Sequence, residues 1–257
     1  MALEQDIAKL IEASNDLTTV VDNKIVDIDA KVEQSKTKVD GYINQVNNYI
    51  NSARDKQSHF RLTKNQALIP NDEGTFPKYW SGGFVKSAKV IETVTTGVEP
   101  EQRSALAREF LQAINSDHKY FANSFKIWEL EYYPNRRGDN SHVFSYLMYQ
   151  YFRFSSYTTI AAVVKHVKGL VPSKFWCHGL KAGEPAKLCG LNYGVSSTRN
   201  HYSHCHPYVE GGEGKPETET GIIQVALPAV VTGDVDLSTG QWGQFPYLGD
   251  ADQNAYD

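Results

Sequence analysis

Ile25-Val26-Asp27-Ile28-Asp29-Ala30-Lys31-Val32-Glu33-Gln34-Ser35-Lys36-Thr37-Lys38-Val39 decides the first element of the fold. Within it Ile25, Ile28, Val32, Ser35 and Val39 follow at alternating steps of 3 and 4, and the series continues through Tyr42, Val46, Tyr49 and Ala53. Such alternation keeps side chains on one stripe of an α-helix, the seam of a heptad coiled coil. Upstream, Leu3, Ile7, Leu10, Ser14, Leu17 and Val21 keep the same rhythm. The two series meet at Val21 with two steps of 4 side by side, a stutter that locally unwinds a left-handed supercoil without breaking the helix. From Met1 to about Ser58 there is no Pro, Trp or Cys and a single Gly, Gly41, which costs about 1 kcal/mol relative to Ala inside a helix.

The seam is narrow, with Asp, Lys, Glu, Gln and Asn filling the other positions. A lone helix cannot bury so thin a stripe in water, and the chain offers no second helix for it to fold back on. The pattern therefore predicts a rod of about 80 Å, at 1.5 Å per residue, that needs copies of itself. Packing on its own domain is the alternative, but the alternation runs far beyond the usual 10–14 residues of a globular helix. β-branched residues in the second half, with Ser14 and Ser35 as small polar interruptions, suit a parallel trimer at least as well as a dimer. The expected trimer seam is Ile7, Leu10, Leu17, Val21, Ile25, Ile28, Val32, Val39 and Val46.

Composition narrows the classes further. The 257 residues carry 26 basic against 30 acidic side chains, a net charge of −4, so binding of nucleic acid by bulk electrostatics is not expected. No stretch approaches the roughly 20 apolar residues of a membrane span, and no membrane insertion is expected. Met1-Ala2-Leu3-Glu4-Gln5-Asp6 has no basic region before an apolar run, so a classical signal peptide is not expected either. The 40 % hydrophobic content sits below the roughly 45–50 % of a globular domain, and the polar rod accounts for most of the shortfall.

Downstream the pattern turns to aromatic β structure. Breakers at Pro70–Gly74 and Trp80–Gly83 end the rod, giving a stalk over residues 1–60 and a linker over 61–83. A head domain over 84–169 follows: a strand from Phe84 to Thr96, a helix opening at Glu99-Pro100-Glu101 with Leu106, Phe110 and Ile114 on its buried face, and a strand from Tyr120 to Tyr133. Val143 to Val167 supplies one long or two shorter strands, with aromatic side chains at nearly every second position from Tyr146 to Phe154. Residues 170–257 hold all three cysteines and many Gly, Pro and Asn, and read as a loop-rich β tip. The fold class is thus α+β: a long N-terminal helix forming a parallel trimeric coiled coil, then a β-rich head with one short helix and a loop-rich C-terminal tip.

The densest group of coordinating side chains is His201-Tyr202-Ser203-His204-Cys205-His206. In a strand, His204 and His206 share a face; on a three-fold axis they would offer six imidazoles to a first-row transition metal. A one-chain zinc site from His201, His204 and His206, and ordinary hydrogen-bonded histidines, are the other two readings. Cys177, Cys189 and Cys205 lack C-x-x-C spacing, while a Cys177–Cys189 disulfide would close a short loop. There is no G-x-S-x-G and no phosphate-binding glycine loop. The acid pairs Asp234/Asp236 and Glu129/Glu131 read as solvated-face pairs, so no catalytic residue is assigned and no enzyme is expected. Tyr193, Tyr202, Tyr208, Trp242, Phe245 and Tyr247 are candidates for receptor contact, because Tyr and Trp join a rigid apolar face to a polar tip. Filling the core is the plain alternative for each.

The stretch from Met1 to Lys24, continued by Ile25-Val26-Asp27-Ile28-Asp29-Ala30-Lys31-Val32, resembles the opening of bacteriophage tail fibre proteins, over roughly the first quarter of the chain. The resemblance implies a viral structural protein of the virion tail: a homotrimer held to the tail or baseplate by its N-terminus, with its C-terminal head meeting a glycan or protein of the bacterial surface. Some fibre tips of that family hold iron on the three-fold axis through repeated H-x-H pairs. His204-Cys205-His206 matches that pattern once, without repetition, and through it iron enters as the candidate cofactor. A tail-spike enzyme degrading host polysaccharide and a non-viral trimeric adaptor are the competing functions.

Overall fold

In a computed structural model, α1 runs without interruption from Ala2 to Asp55, 54 residues. The structure describes residues 2–55, 58–83, 85–133, 144–154, 157–193, 201–204, 208–210 and 220–249. Polar side chains along α1 are satisfied locally: the hydroxyls of Thr18, Thr19 and Thr37 donate to carbonyls four residues back at 2.9–3.0 Å, and Lys24–Asp27 and Lys36–Glu33 pair at 4.0 Å. The chain divides into two units, Met1–Gln57 and Ser58–Asp257.

The second unit is built on β-structure. Its strands in chain order are β1 (Ser81–Gly82), β2 (Val85–Val94), β3 (Phe125–Tyr132), β4 (Phe144–Tyr146), β5 (Met148–Tyr149), β6 (Tyr151–Phe154), β7 (Thr158–Lys168), β8 (Lys187–Tyr193), β9 (His201–His204), β10 (Tyr208–Glu210) and β11 (Gly221–Thr232), with one α-helix, α2 (Ala105–Gln112), between β2 and β3. Five of them form an antiparallel sheet in the order β2-β3-β11-β7-β8. Period-2 alternation sends side chains to two buried faces. On one, Trp128, Leu130, Tyr132, Ile160, Val164, Ile223 and Val225 pack with Leu68, Met148, Trp176 and Cys177. On the other, Phe125, Ile127, Ala161, Val163 and Val231 pack under Phe110 and Leu111 of α2 and under Trp242.

β11 is the central strand, yet Pro228 stands in its middle. Proline removes a ladder donor and is confined to edges or bulges. A bulge sits there, between Ala226 and Ala229 against β7, and Leu227 adopts φ +53°. The Leu227 carbonyl accepts from the Trp242 indole N–H at 2.9 Å, and Val230 N–H donates to the Thr63 hydroxyl at 3.1 Å. The irregularity is thus closed by hydrogen bonds from both ends of the unit.

Residues 61–83, expected as a linker, are instead built into this unit. Thr63 and Leu68 are fully buried, Leu62 N–H donates to Val230 O at 2.8 Å, and the Gln66 side chain donates to Gly243 O at 2.9 Å while accepting from Phe245 N–H at 3.0 Å. The expected division at 169/170 is absent too: β11, from the presumed tip, lies between β3 and β7 of the presumed head. The α2 helix starts later than expected. Pro100–Gln102 makes only a 3-10 turn, and the N-cap is Ser104, whose hydroxyl accepts from Ala107 N–H at 3.0 Å, a stronger stop-and-start signal than Pro alone. The aromatic run from Tyr146 to Phe154 breaks into β4, β5 and β6, which pair with β10, β1 and β9. The break at Gln150 has a cause, because its buried amide clasps the Lys64 backbone at 2.8 and 2.7 Å.

The turn before α2 is pinned to the turn after it by Arg103, whose side chain is 3 % exposed and meets Asp117 at 3.0 Å. Arg103 also donates to Val98 O and His118 O. Burial raises the Asp117 pKa, but hydrogen bonds from Arg108, Gln112 and Arg103 outweigh it, leaving the carboxyl below the ordinary 3.8. A lowered folded pKa means stability that is present above the unfolded value and lost as pH falls through the folded one. Asp117→Asn should therefore cost about 3 kcal/mol at neutral pH, since it strands the Arg103 charge, and should flatten the loss of stability below about pH 4. Urea titrations of both proteins at pH 7 and pH 3 check this.

Gly221 opens β11 against the ring of Tyr132, where any Cβ would overlap the phenol. Tyr132 is fully buried and its hydroxyl donates to Leu170 O, so the ring has nowhere to go. Gly221→Ala is expected to lose about 1–3 kcal/mol through overpacking, read as a lower urea midpoint with an unchanged slope.

Candidate functional site

An apolar stripe lies exposed along α1. Ile7, Leu10, Leu17, Val21, Ile25, Ile28, Val32, Val39 and Val46, the expected seam, are 46–71 % exposed. Three further isoleucines, Ile11, Ile43 and Ile50, each follow a seam position and are 45–57 % exposed. They widen the stripe near both ends, while Lys36 holds the equivalent place after Ser35 in the middle. The stutter has a geometric effect: the 50 residues from Leu3 to Ala53 take 14 steps, a mean of 50/14, or about 3.57 residues. That lies close to the 3.6 of a straight α-helix, so the stripe stays on one side with little supercoiling. Gly41 lies off the stripe with open space where a Cβ would stand.

In the second unit the structure places Trp242, Phe245, Tyr247 and Tyr193 in the core and at its margins. Trp242 is 2 % exposed and stacks edge-on to Phe245 with centroids 4.8 Å apart. It is a core residue and presents no face to a receptor, because its indole closes the β11 bulge. Phe245 is half-buried beside it. Tyr247 is half-buried under the Arg61 guanidinium, 5.2 Å from the ring centroid, and Tyr193 packs on the core against Phe175 at 6.0 Å. Tyr202 and Tyr208 are placed by backbone alone, opposite Arg153 in β6 and Tyr146 in β4. His204 lies opposite Tyr151 in the β6–β9 pair; His206 and Cys205 fall outside the described residues. Among the described residues, no group of three or more His, Cys, Asp or Glu is gathered to hold a metal ion. No helix among them is long and apolar enough to cross a membrane.

The acid pairs are tied into local networks. Glu129 meets Lys89 at 2.9 Å and accepts from Gln224 at 3.2 Å; Glu131 accepts from Thr220 at 2.7 Å, Lys86 at 3.2 Å and Ser87 at 3.3 Å. Burial pushes the Glu129 carboxyl up, but the bonds from Lys89 and Gln224 leave it below the usual carboxylate range. Hydrogen bonds, first that from Thr220 and then that from Lys86, hold Glu131 low as well. Carboxyls held low in this way favour the ionised form at neutral pH. Asp234 accepts from the Asn192 amide, and Asp236 caps a 3-10 turn through Ser238 N–H at 2.9 Å.

Among the described residues of the second unit, sequence reasoning missed four tyrosines that face solvent: Tyr79, Tyr120, Tyr151 and Tyr157 are 54–72 % exposed. Two of them carry a signal in the sequence, the dipeptides Lys78-Tyr79 and Lys119-Tyr120. In the structure the Lys78 ammonium stands 5.7 Å from the Tyr79 ring centroid, and that of Lys119 stands 5.6 Å from the Tyr120 centroid.

Cys177 and Cys189 share a core cluster and are both free thiols, so the disulfide entertained from sequence is not formed. Burial raises the Cys177 pKa and pushes that of Cys189 up to about 12. Since the thiolate is the reactive form, neither should be alkylated in the native protein at pH 8, and both should be after unfolding in urea. Peptide mapping of alkylated residues reads this directly, and rapid native labelling of either would contradict the placement. No protein-family model, curated protein or solved structure matches the chain.

Proposed function

We propose that the chain is a structural protein of a bacteriophage virion, a homotrimeric tail fibre whose helix bundles in parallel with two copies of itself. Its N-terminus attaches to the tail or baseplate, and its β unit binds a glycan or protein on the bacterial surface. The observation that carries this reading is the stripe on α1. A helix of 54 residues with apolar side chains 45 % or more exposed along its length is not a stable solitary structure in water. Each Val, Leu or Ile transferred from water into a helix–helix seam contributes about 1.5–3 kcal/mol. The near-3.6 mean repeat suits a bundle of almost straight helices, and the β-branched second half suits three of them.

The exposed tyrosines of the β unit support the adhesive half of the proposal, since rigid rings with polar tips recur at recognition surfaces. The competing polysaccharide-degrading reading requires a carboxylic acid kept protonated beside an ionised partner. Glu129 and Glu131 give it no support, because lysine, hydroxyl and amide donors hold both below the usual range.

Sedimentation equilibrium of the full chain should give the mass of three chains at micromolar concentration. The double variant Val32→Asp/Val39→Asp, which puts two charges into the seam, should sediment as one chain while keeping the β-sheet signal. A wild-type monomer at that concentration would sink the fibre reading. Adsorption of the labelled full chain to a panel of bacterial strains tests the adhesive half, and no strain binding would contradict it.

A further inference from the structure

We infer that the β unit carries an acidic-saccharide site built from Tyr79, Tyr149 and Tyr151 with Lys64 and Lys78. It rests on the adhesive reading above and gives it a location and a ligand chemistry. The parts are brought together by hydrogen bonds already in place. The buried Gln150 amide accepts from Lys64 N–H at 2.8 Å and donates to Lys64 O at 2.7 Å, which docks the Lys64 segment at the junction of β5 and β6. Tyr149 and Tyr151 flank Gln150, Tyr149 closing β5 and Tyr151 opening β6. Their rings meet at 5.5 Å, and Tyr151 is 55 % exposed. Ser81 pairs with Tyr149, so the chain just after Tyr79 runs along the same edge. The Tyr79 ring is then approached by two ammonium groups, Lys64 at 5.3 Å and Lys78 at 5.7 Å.

Tyr79 does not reach that position at its ease. It adopts φ +69°, a left-handed conformation that is strained for a bulky residue. Neighbours on both sides enforce it. Lys78 N–H donates to Ile69 O at 2.9 Å, the Asn65 amide donates to Lys78 O at 2.8 Å, and the Trp80 indole, with its side chain in the core, donates to Asn65 O at 3.1 Å. Asn65 and Leu68 also adopt positive φ. The segment therefore holds a 60 % exposed tyrosine outward between two fixed neighbours.

The chemistry selects the ligand. A tyrosine face stacks on the C–H face of a pyranose ring, its hydroxyl exchanges hydrogen bonds with sugar hydroxyls, and two lysines supply point charges suited to a carboxylate or phosphate substituent. Lys78 also pairs with Asp72 at 3.4 Å, a contact on an 87 % exposed carboxylate that an anionic ligand would displace at little cost. Tyr120 provides an internal contrast, because one ammonium, that of Lys119, approaches its ring where two approach that of Tyr79.

The test is an array of oligosaccharides carrying uronate, sialate or phosphate groups beside their neutral counterparts, probed with the full trimeric or monomeric chain as it purifies. Acidic members should bind and neutral counterparts should not, with affinity falling as salt rises from 50 to 500 mM. Tyr79→Ala and the pair Lys64→Gln/Lys78→Gln should each lose about tenfold or more, whereas Tyr120→Ala should stay within about twofold. Circular dichroism confirms that each variant is folded, and Tyr79→Gly, which relieves the left-handed strain, should lose binding while gaining stability. Equal binding of neutral and acidic members, no binding of any acidic member, or unchanged binding by Tyr79→Gly overturns the site. Cell adsorption measured with the same variants separates the two levels: adsorption that survives Tyr79→Gly leaves the fibre reading standing and removes this site from it.

Discussion

Water in contact with an apolar stripe along the whole of α1 is the constraint on which the rest of the molecule turns. Polar groups of α1 find partners within a turn, as Thr18, Thr19 and Thr37 and the pairs Lys24–Asp27 and Lys36–Glu33 do, and its apolar side chains have no such local remedy. A globular helix hides its stripe against a sheet, as α2 does with Phe110 and Leu111. The stripe of α1, by contrast, keeps seam residues 46–71 % exposed, and the proposed bundle would cover it with copies of itself.

The β unit solves a different problem. Its central strand contains a proline, and the bulge this forces leaves backbone groups to be satisfied from elsewhere. Trp242 answers from the C-terminal side and Thr63 from the N-terminal side. Segments that look like linker and tail are thereby made structural, and the unit cannot be cut at residue 84 or at residue 170 without opening its centre. The aromatic residues divide too, with Trp128, Trp176, Trp242 and Tyr132 in the core and Tyr79, Tyr120, Tyr151 and Tyr157 at the surface.

How much of this was legible depended on whether the signal was local. The helix was readable from its 3–4 steps alone, since period is carried within a few residues and nothing in 54 of them interrupts it. The strand from Phe125 to Tyr132 was readable because Trp128, Leu130 and Tyr132 alternate with Phe125 and Ile127, apolar on both faces. β11 was visible only as a short apolar run, because Pro228 splits its pattern and a glycine-rich stretch precedes it. Its central place depends on pairing with β3, some 90 residues earlier, and no local pattern encodes that. Trp242 was misplaced for the same reason: its partner is the Leu227 carbonyl, exposed for bonding only by the bulge. Tyr79 and Tyr120 could have been singled out by their preceding lysines, but their outward direction follows from backbone angles and long-range hydrogen bonds.

The central claim is that α1 is stable only in company. Thermal unfolding of the full chain followed at 222 nm across a hundredfold range of protein concentration tests it most directly. If association holds the helix, its melting temperature rises with concentration as mass action requires, while near-ultraviolet signals from the buried tryptophans of the β unit follow their own transition. A helical transition at one temperature across that range, in a chain that sediments as a monomer, would contradict the account.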